Sequence, residues 1–204
     1  EKSNEFFIEY AYTHLLEALK QTVKNYGISF DVWFSEKKLH PHKIEKALAL
    51  LQTNGHLYEL DGSLWFRSTT FGDDKDRVLK KADGEFTYAA ADAAYLLDKT
   101  DRGFDHLIYT LGQDHHSYPK RLDGLRQALG LQNVSLNCII YQLVAVKEDG
   151  QLEKLSKRAG RIVGLNDIIE LVVTDIARFF YLHKKADAHL DFDLNLALSQ
   201  TDEN

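Results

Sequence analysis

A polar segment at residues 112–116 has the residue types that a nucleotide-binding loop requires. It reads Gly-Gln-Asp-His-His and follows directly after an apolar run of strand length. Ligands of open α/β sheets bind beyond the carboxyl ends of parallel strands. There Gly112 would let a ligand approach the backbone, and Asp114 would accept hydrogen bonds from ribose hydroxyls. A polar turn in which Asp114 caps the following helix is the alternative interpretation.

A second segment, 154–160, carries the positive charge that phosphate chemistry needs. Lys154 and Lys157 flank Ser156, and glycines stand nearby at positions 150 and 160. Such a loop neutralises the charge that develops on phosphates during phosphoryl or adenylyl transfer. A solvated basic loop without a ligand is the alternative.

Two side chains on one predicted helix indicate a pocket for a cation. Tyr88 and Asp92 are four residues apart, so both point to one face, and the alanines around them leave room for a ligand. A carboxylate and a phenol facing a cavity suit a guanidinium, which pairs with a carboxylate through two hydrogen bonds. Glu36, at the end of a predicted strand, is a candidate second carboxylate. The alternative is a half-buried Tyr88 beside a solvated Asp92.

Other polar residues are interpreted as structural or solvent-exposed. His40 and His42 lack a third ligand at a convincing spacing, so we expect surface histidines rather than a metal site. At 190–194 the apolar residues are expected to pack, with the two aspartates between them pointing outward. Asp98 and Asp101 are expected to be ordinary solvated residues.

Helix-like and strand-like segments alternate along the chain, which predicts an α/β fold. Before residue 100 the patterns predict a helix at 6–25 ending near Gly27, a strand at 28–34, a helix at 43–53, a hairpin with strands 57–60 and 63–67, a strand at 77–80, and a helix at 87–99. Asp-Gly pairs at 61–62 and 83–84 mark turns, and the first is a strong hairpin signal.

The second half of the chain predicts a strand–helix–strand unit with parallel strands. The strand 106–111, the helix 118–129 and the stretch 134–146 have the lengths of a βαβ unit, and 138–141 has the continuous apolar pattern of a strand buried on both faces. Further helices are predicted at 165–173, 175–185 and 194–200.

Composition limits the classes of protein that the chain can belong to. The 204 residues have a formal net charge of −6, which argues against a domain dedicated to gripping a nucleic-acid backbone. The single cysteine, Cys138, excludes a disulfide within the chain and favours a reducing, cytoplasmic setting. No apolar run approaches the ~20 residues that cross a bilayer, so no membrane association is expected.

These segments occur together, in this order, in one family. Lys154-Leu155-Ser156-Lys157 resembles the lysine-methionine-serine-lysine signature of class I aminoacyl-tRNA synthetases. Within that class the sequence is similar to bacterial-type arginyl-tRNA synthetases along nearly the whole chain. The segments that carry this resemblance are 30–36, 71–78, 87–92, 102–105, 112–116, 156–160, 177–180 and 189–193.

The resemblance implies a fold, an activity and a set of site residues. The fold would be the second half of a Rossmann-like parallel sheet with an inserted β-hairpin segment and C-terminal helices. The activity would be ATP-dependent and Mg²⁺-dependent activation of arginine, followed by its transfer to tRNA(Arg), in a protein that is monomeric when full length and holds no protein-ligated metal. Arginine would contact Glu36, Tyr88, Asp92 and Gln113, adenosine would contact Gly112, Asp114, His116 and Val144, and the phosphates would contact Lys154, Ser156 and Lys157.

The sequence also departs from the family pattern. It has no histidine-isoleucine-glycine-histidine element, so we expect a catalytic-domain fragment that does not activate arginine alone. Val173 stands where relatives usually have glycine, which we interpret as a packing change. The expected domain plan is an end of the first half plus insertion at 1–86, a second βαβ half at 87–173, and a helical segment at 174–204 that leads to an anticodon-binding domain.

Two other functions stay open at this point. Asp114-His115-His116 also matches the motif of Asp-His-His metal-dependent phosphoesterases, although the basic segment would then be unexplained. A non-catalytic synthetase-like module that retains the fold is the second alternative.

Overall fold

The computed structural model describes residues 3–148, 151–152 and 164–199. In this part of the chain the elements, in order, are helix α1 (Asn4–Asn25), a 3₁₀ helix (Glu36–Leu39), α2 (His42–Thr53), β1 (Leu57–Leu60), β2 (Ser63–Phe66), a 3₁₀ helix (Ser68–Phe71), β3 (Arg77–Lys80), α3 (Tyr88–Asp101), β4 (His106–Gly112), a 3₁₀ helix (Gln113–His115), α4 (Tyr118–Ala128), β5 (Ser135–Tyr141), β6 (Val144–Glu148), β7 (Gln151–Leu152), α5 (Leu165–Val172), α6 (Thr174–Leu182), β8 (Leu190–Asp193) and α7 (Leu194–Leu198). No helix in these ranges is long and apolar enough to cross a membrane.

The chain divides into two compact units. One unit is Phe34–Tyr141, and the other combines Glu1–Trp33 with Gln142–Asn204. The predicted α/β character is confirmed, because helices alternate with parallel and antiparallel strands. The expected domain plan, with boundaries at 86 and 173, stays a prediction.

The unit 34–141 contains the predicted hairpin and the predicted βαβ unit. Strands β1, β2 and β3 form an antiparallel sheet, and the turn between β1 and β2 places Asp61 at φ 50° and Gly62 at φ 73°. This left-handed pair matches the right-handed twist of the flanking strands, which is why Asp-Gly predicts the hairpin correctly. Strands β4 and β5 pair in parallel from His106 opposite Ser135 to Gly112 opposite Tyr141, as predicted.

Helix α3 lies at the centre of this unit's core. Its alanines are buried, and Leu96 is fully buried with Phe66 of β2 and Leu122 of α4. The small side chains let neighbouring elements approach closely while the helix retains high intrinsic propensity. The core therefore fixes the position of α3, the helix that carries Tyr88 and Asp92.

The unit formed by 1–33 and 142–204 has its own small core. Strand β6 pairs in parallel with β8 and antiparallel with β7. Buried side chains from β8, α5 and α6 pack with Tyr26 at the end of α1. At 190–194 the expected pattern is confirmed: the apolar residues pack, Asp191 is exposed beside Lys147, and Asp193 caps α7.

Two strand predictions are wrong. Residues 28–34 form no strand, and Phe30 and Val32 are each 55% exposed, because no strand among the described residues pairs with this segment. Glu36 consequently opens a 3₁₀ helix instead of closing a strand. Strand β5 is buried on one face only, because the core of this unit, to which α4 contributes, covers that face and leaves Ile139 and Tyr141 on the other.

At position 173 the backbone conformation, rather than packing, favours glycine. The interpretation of Val173 as a packing change is therefore wrong. Val173 joins α5 to α6 at φ 55° and ψ 155°. This region is adopted almost only by glycine, since a side chain there crowds the adjacent peptide groups. The exposed valine therefore carries strain that a glycine would not.

The prediction for Asp98 is also wrong. Its side chain is only 4% exposed and forms ion pairs with Lys43 of α2 and Arg102 at the end of α3. Asp101 is 61% exposed, as predicted, and pairs with Lys46 at 2.9 Å. Both aspartates thus connect α3 to α2. The carboxylate of the Asp98–Lys43 pair is buried, whereas both members of the Asp101–Lys46 pair are solvated.

These two ion pairs provide a matched test of how α3 is held in place. We expect Asp98→Ala to lower the free energy of unfolding by about 2–4 kcal/mol, because it removes a buried carboxylate together with its charged bonds to Lys43 and Arg102. Asp101→Ala should cost less than about 1 kcal/mol, because water replaces the lost partner. Denaturant titration of both variants makes the comparison, and equal losses would contradict it.

Candidate functional site

A cavity of about 350 Å³ opens in the unit 34–141. Its lining residues are aromatic, acidic or small: Phe34, Glu36, Leu39, Tyr88, Ala91, Asp92, Tyr95 and Tyr118. Glu36, Tyr88 and Asp92, which the sequence predicted to share a site, are thus brought together. A cavity of this size, closed on several sides by rings, suits a small ligand such as an amino-acid side chain.

Helix α3 supplies one wall of this cavity. Tyr88, Asp92 and Tyr95 follow the i, i+4, i+7 spacing of one helix face, and Ala91 leaves space between them. The start of the helix is fixed by Thr87, whose hydroxyl donates to the Val78 carbonyl at 2.6 Å. Tyr88 is 80% exposed and forms the rim, whereas Asp92 lies deeper. This placement differs from the alternative of a solvated Asp92.

Tyr118 supplies the facing wall, and the sequence interpretation had missed it. Its hydroxyl donates a hydrogen bond to Oδ2 of Asp92 at 2.6 Å. Tyr118 is the first residue of α4, two positions after the 112–116 segment. A helix that leaves the carboxyl end of a parallel strand begins at the ligand-binding edge, so that position was a usable signal.

The Asp92 carboxylate is held in an environment that opposes its charge. Burial raises the pKa of Asp92 to about 6, and the neighbouring Glu36 carboxylate adds to this increase. The Tyr118 hydrogen bond and the positive charge of Arg121 act in the opposite direction. The guanidinium of Arg121 lies over the Tyr118 ring at 4.7 Å. A cationic ligand would remove the conflict, since it favours the ionised carboxylate.

Glu36 is the more exposed of the two carboxylates. It opens the 3₁₀ helix that follows Phe34, its side chain is 59% exposed, and its nearest basic partner is His40 at 3.9 Å. Phe34 stacks on Tyr95 at 4.6 Å between ring centres. One deep and one rim carboxylate between aromatic faces can pair with the two sides of a planar cation.

The 112–116 segment stands at the carboxyl end of β4, as predicted. A Cβ at Gly112 would lie 2.7 Å from Oδ1 of Asp114, so the turn is most easily made with glycine. Asp114 and His116 are exposed, and Asp114 lies 3.6 Å from His115. Gln113 begins the short 3₁₀ helix and is absent from the cavity lining described above.

The remaining site predictions fall elsewhere in the chain. Val144 opens β6 in the other compact unit. Lys154, Ser156 and Lys157 lie outside the described residues. Among the residues that the structure does describe, no three His, Cys, Asp or Glu side chains are grouped to hold a metal ion.

Sequence comparison assigns the chain to a family. Residues 1–186 match the family described as class I tRNA synthetases (R), catalytic domain, and the chain belongs to that family. It is 50% identical over 200 residues to the arginine–tRNA ligase of Bacillus subtilis and 48% identical to that of Bacillus velezensis. These matches cover 98% of the chain but 36% of each relative, so the chain spans just over a third of their length.

Solved structures agree with this assignment. A Campylobacter jejuni structure assigned as an arginyl-tRNA synthetase superposes with a TM-score of 0.91 at 32% identity, over 99% of this chain and 45% of that one. The arginyl-tRNA synthetase of Thermus thermophilus gives a TM-score of 0.74 at 16% identity, over 94% of this chain and 42% of that one, and shows the shared fold. The phosphoesterase alternative is not supported by these matches.

The environment of Asp92 predicts a trade-off between stability and binding. Its pKa is about 6 in the folded state and 3.8 ordinarily, so the folded state is penalised as pH rises through 6. Asp92→Asn keeps an acceptor for Tyr118 but removes the charge. We expect it to raise the free energy of unfolding at pH 8 by about 1–3 kcal/mol.

The pH dependence separates this effect from a simple change in packing. Below pH 3.8 the wild-type carboxyl is neutral in both states, so the difference between the two proteins should disappear. Denaturant titrations at about pH 3, 6 and 8 make the measurement. An Asn variant that is less stable than the wild type at pH 8 would contradict the account.

Proposed function

We propose that this chain forms the arginine pocket and part of the ATP site of an arginine–tRNA ligase. The enzyme activates arginine with ATP and then transfers it to tRNA(Arg). The observation that carries this proposal is the cavity that Asp92 and Glu36 line together with aromatic side chains. Membership of the class I tRNA synthetase family and the arginine–tRNA ligases among the relatives support it.

The arginine side chain is the ligand that best satisfies this cavity. Its guanidinium stays charged at all relevant pH values and donates five hydrogen bonds in one plane. The Asp92 carboxylate, deep in the cavity, would accept two of these hydrogen bonds while it also accepts the one from the Tyr118 hydroxyl. Glu36 would accept a further hydrogen bond at the rim. Tyr88 would cover the open side. Lysine offers a point charge that cannot bridge both carboxylates, so the pocket selects against it.

The nucleotide would lie along the carboxyl edge of β4. The exposed Asp114 carboxylate, which lies beside Gly112 and His115, would accept hydrogen bonds from ribose hydroxyls. His116 and Val144 are proposed to contact the adenosine, and Gln113 the arginine. Lys154, Ser156 and Lys157 are proposed to contact the phosphates, with Mg²⁺ entering as part of the ATP substrate.

The reaction needs positioning rather than a side-chain nucleophile. One oxygen of the arginine carboxylate attacks the α-phosphate in line, and pyrophosphate leaves with the bonding electrons. The pocket fixes the distal end of arginine, so its carboxylate is presented in one orientation. Positive charge from the two lysines stabilises the negative charge that develops on the phosphates.

The remaining assignments follow from the same proposal. The domain boundaries at 86 and 173 would separate the insertion, the second nucleotide-binding half and the helical segment. A cytoplasmic location fits a sequence with a single cysteine, and a monomer fits the family resemblance.

Isothermal titration of the intact gene product with arginine and with citrulline tests the proposal. Citrulline has nearly the shape of arginine but an uncharged ureido group. We expect it to bind at least about a hundredfold more weakly, because it leaves a buried carboxylate unpaired. Asp92→Asn should lose a similar factor for arginine, whereas Asp101→Asn, on the same helix, should leave binding unchanged.

Arginine affinity should also follow the ionisation of Asp92. The pKa of about 6 predicts that arginine affinity declines by up to about tenfold per pH unit as the pH falls below 6. Equal binding of arginine and citrulline, or an affinity that is flat from pH 4.5 to 8, would refute the proposed pocket.

A further inference from the structure

Lys99 is a half-buried cation with an unusual set of neighbours. It lies in the last turn of α3, and its ammonium is 3.6 Å from the ring centre of Tyr109 and 4.3 Å from that of Tyr95. Within the described ranges it forms no ion pair at 4.0 Å or less and no hydrogen bond. The closest favourable electrostatic contacts of this charge are therefore cation–π interactions with the Tyr95 and Tyr109 rings.

The position of Lys99 links it to the cavity. Tyr88, Asp92, Tyr95 and Lys99 are spaced by four, three and four residues, so they form one stripe along α3. Tyr95 lines the cavity, and its ring stacks on Phe34, which also lines it. The ammonium thus contacts the ring that forms the wall.

The second ring of the pair belongs to the sheet. Tyr109 is on β4, and its hydroxyl is buried without a hydrogen-bond partner in the described structure. A phenol in that position contributes its ring face rather than its hydroxyl. Lys99 therefore connects the wall residue Tyr95 to a strand whose position is fixed by pairing with β5.

The pKa of Lys99 is low enough for its charge to change near physiological pH. Burial lowers the pKa of Lys99 to about 8, and repulsion by Arg102 adds to this decrease. Attraction by Asp92 and by Cys138 opposes it. These groups, with the two tyrosines, are the titratable and charged groups that act on it from α3, β4 and β5.

We propose that Lys99 is a positioning residue that sets the shape selectivity of the cavity, because its ammonium anchors the Tyr95 wall through the ring faces of Tyr95 and Tyr109. The inference rests on the proposed function, since arginine is taken as the ligand. When the ammonium is lost, the Tyr95 ring keeps its stacking on Phe34 and a more distant contact with the Arg102 guanidinium at 6.0 Å, and the cavity accepts longer side chains.

A selectivity ratio isolates this effect from simple charge repulsion. Homoarginine carries the same guanidinium on a side chain one methylene longer, so repulsion by Lys99 affects both ligands alike and cancels in the ratio of their dissociation constants. A displacement of the Tyr95 ring, in contrast, affects the longer ligand more than arginine and therefore changes the ratio. The ratio thus measures the shape of the cavity and not the charge of Lys99.

The experiment measures both dissociation constants by titration calorimetry on the intact gene product at pH 7. Loss of one cation–π anchor predicts that Lys99→Met lowers the preference for arginine by about threefold to tenfold. Lys99→Arg, whose planar cation also stacks on aromatic rings, should restore it. Lys46→Met, which removes a solvent-exposed lysine of α2, is the matched control and should change nothing.

The wild-type protein provides a second test that needs no variant. Its preference for arginine should decline as pH rises from 7 to 9, and Lys99→Arg should show no such decline. An unchanged ratio in Lys99→Met, or a wild-type ratio that is flat to pH 9, would overturn the inference. A wild-type protein that binds neither ligand would instead refute the proposed function, so the two failures are distinguishable.

Discussion

The cavity is organised around a carboxylate held where its charge is disfavoured. Asp92 lies in a cavity with aromatic walls, close to a second carboxylate, Glu36. Burial and like charge both favour the neutral acid, while Tyr118 and Arg121 favour the anion. The carboxylate is balanced between these effects near neutral pH, so a guanidinium gains a strong partner on entry. The folded chain sacrifices some stability to keep this acceptor in place.

The rest of the unit 34–141 keeps that carboxylate in position. The alanine-rich face of α3 packs tightly in the core, and the buried Asp98 connects the helix to α2 and to Arg102. The parallel pair β4 and β5 places the start of α4, and with it Tyr118, against Asp92. Lys99 reaches from the same helix to the ring of a β4 residue. Helix α3 therefore contributes both to the core and to the cavity that we propose binds arginine.

Local sequence patterns predicted most of this unit and part of its site. The Asp-Gly turn, the βαβ unit and the helical spacing of Tyr88 and Asp92 are each set by interactions within a few residues. The errors arose where distant partners decide the outcome. Alternation at 28–34 does not show whether a neighbouring strand exists, and the burial of Asp98 depends on Lys43, which is 55 residues away. Tyr95 and Lys99 continue the Tyr88–Asp92 stripe, so a longer window would have found them.

The central claim is that Asp92 is an ionisable acceptor whose charge is completed by arginine. NMR titration of ¹³C-labelled aspartate carboxyl groups measures this directly, with the Asp92 signal assigned by its loss in the Asn variant. The account predicts a midpoint near pH 6 in the free protein and a decrease of at least about one pH unit when arginine is saturating. An Asp92 signal that titrates near 3.8 and ignores arginine would contradict it.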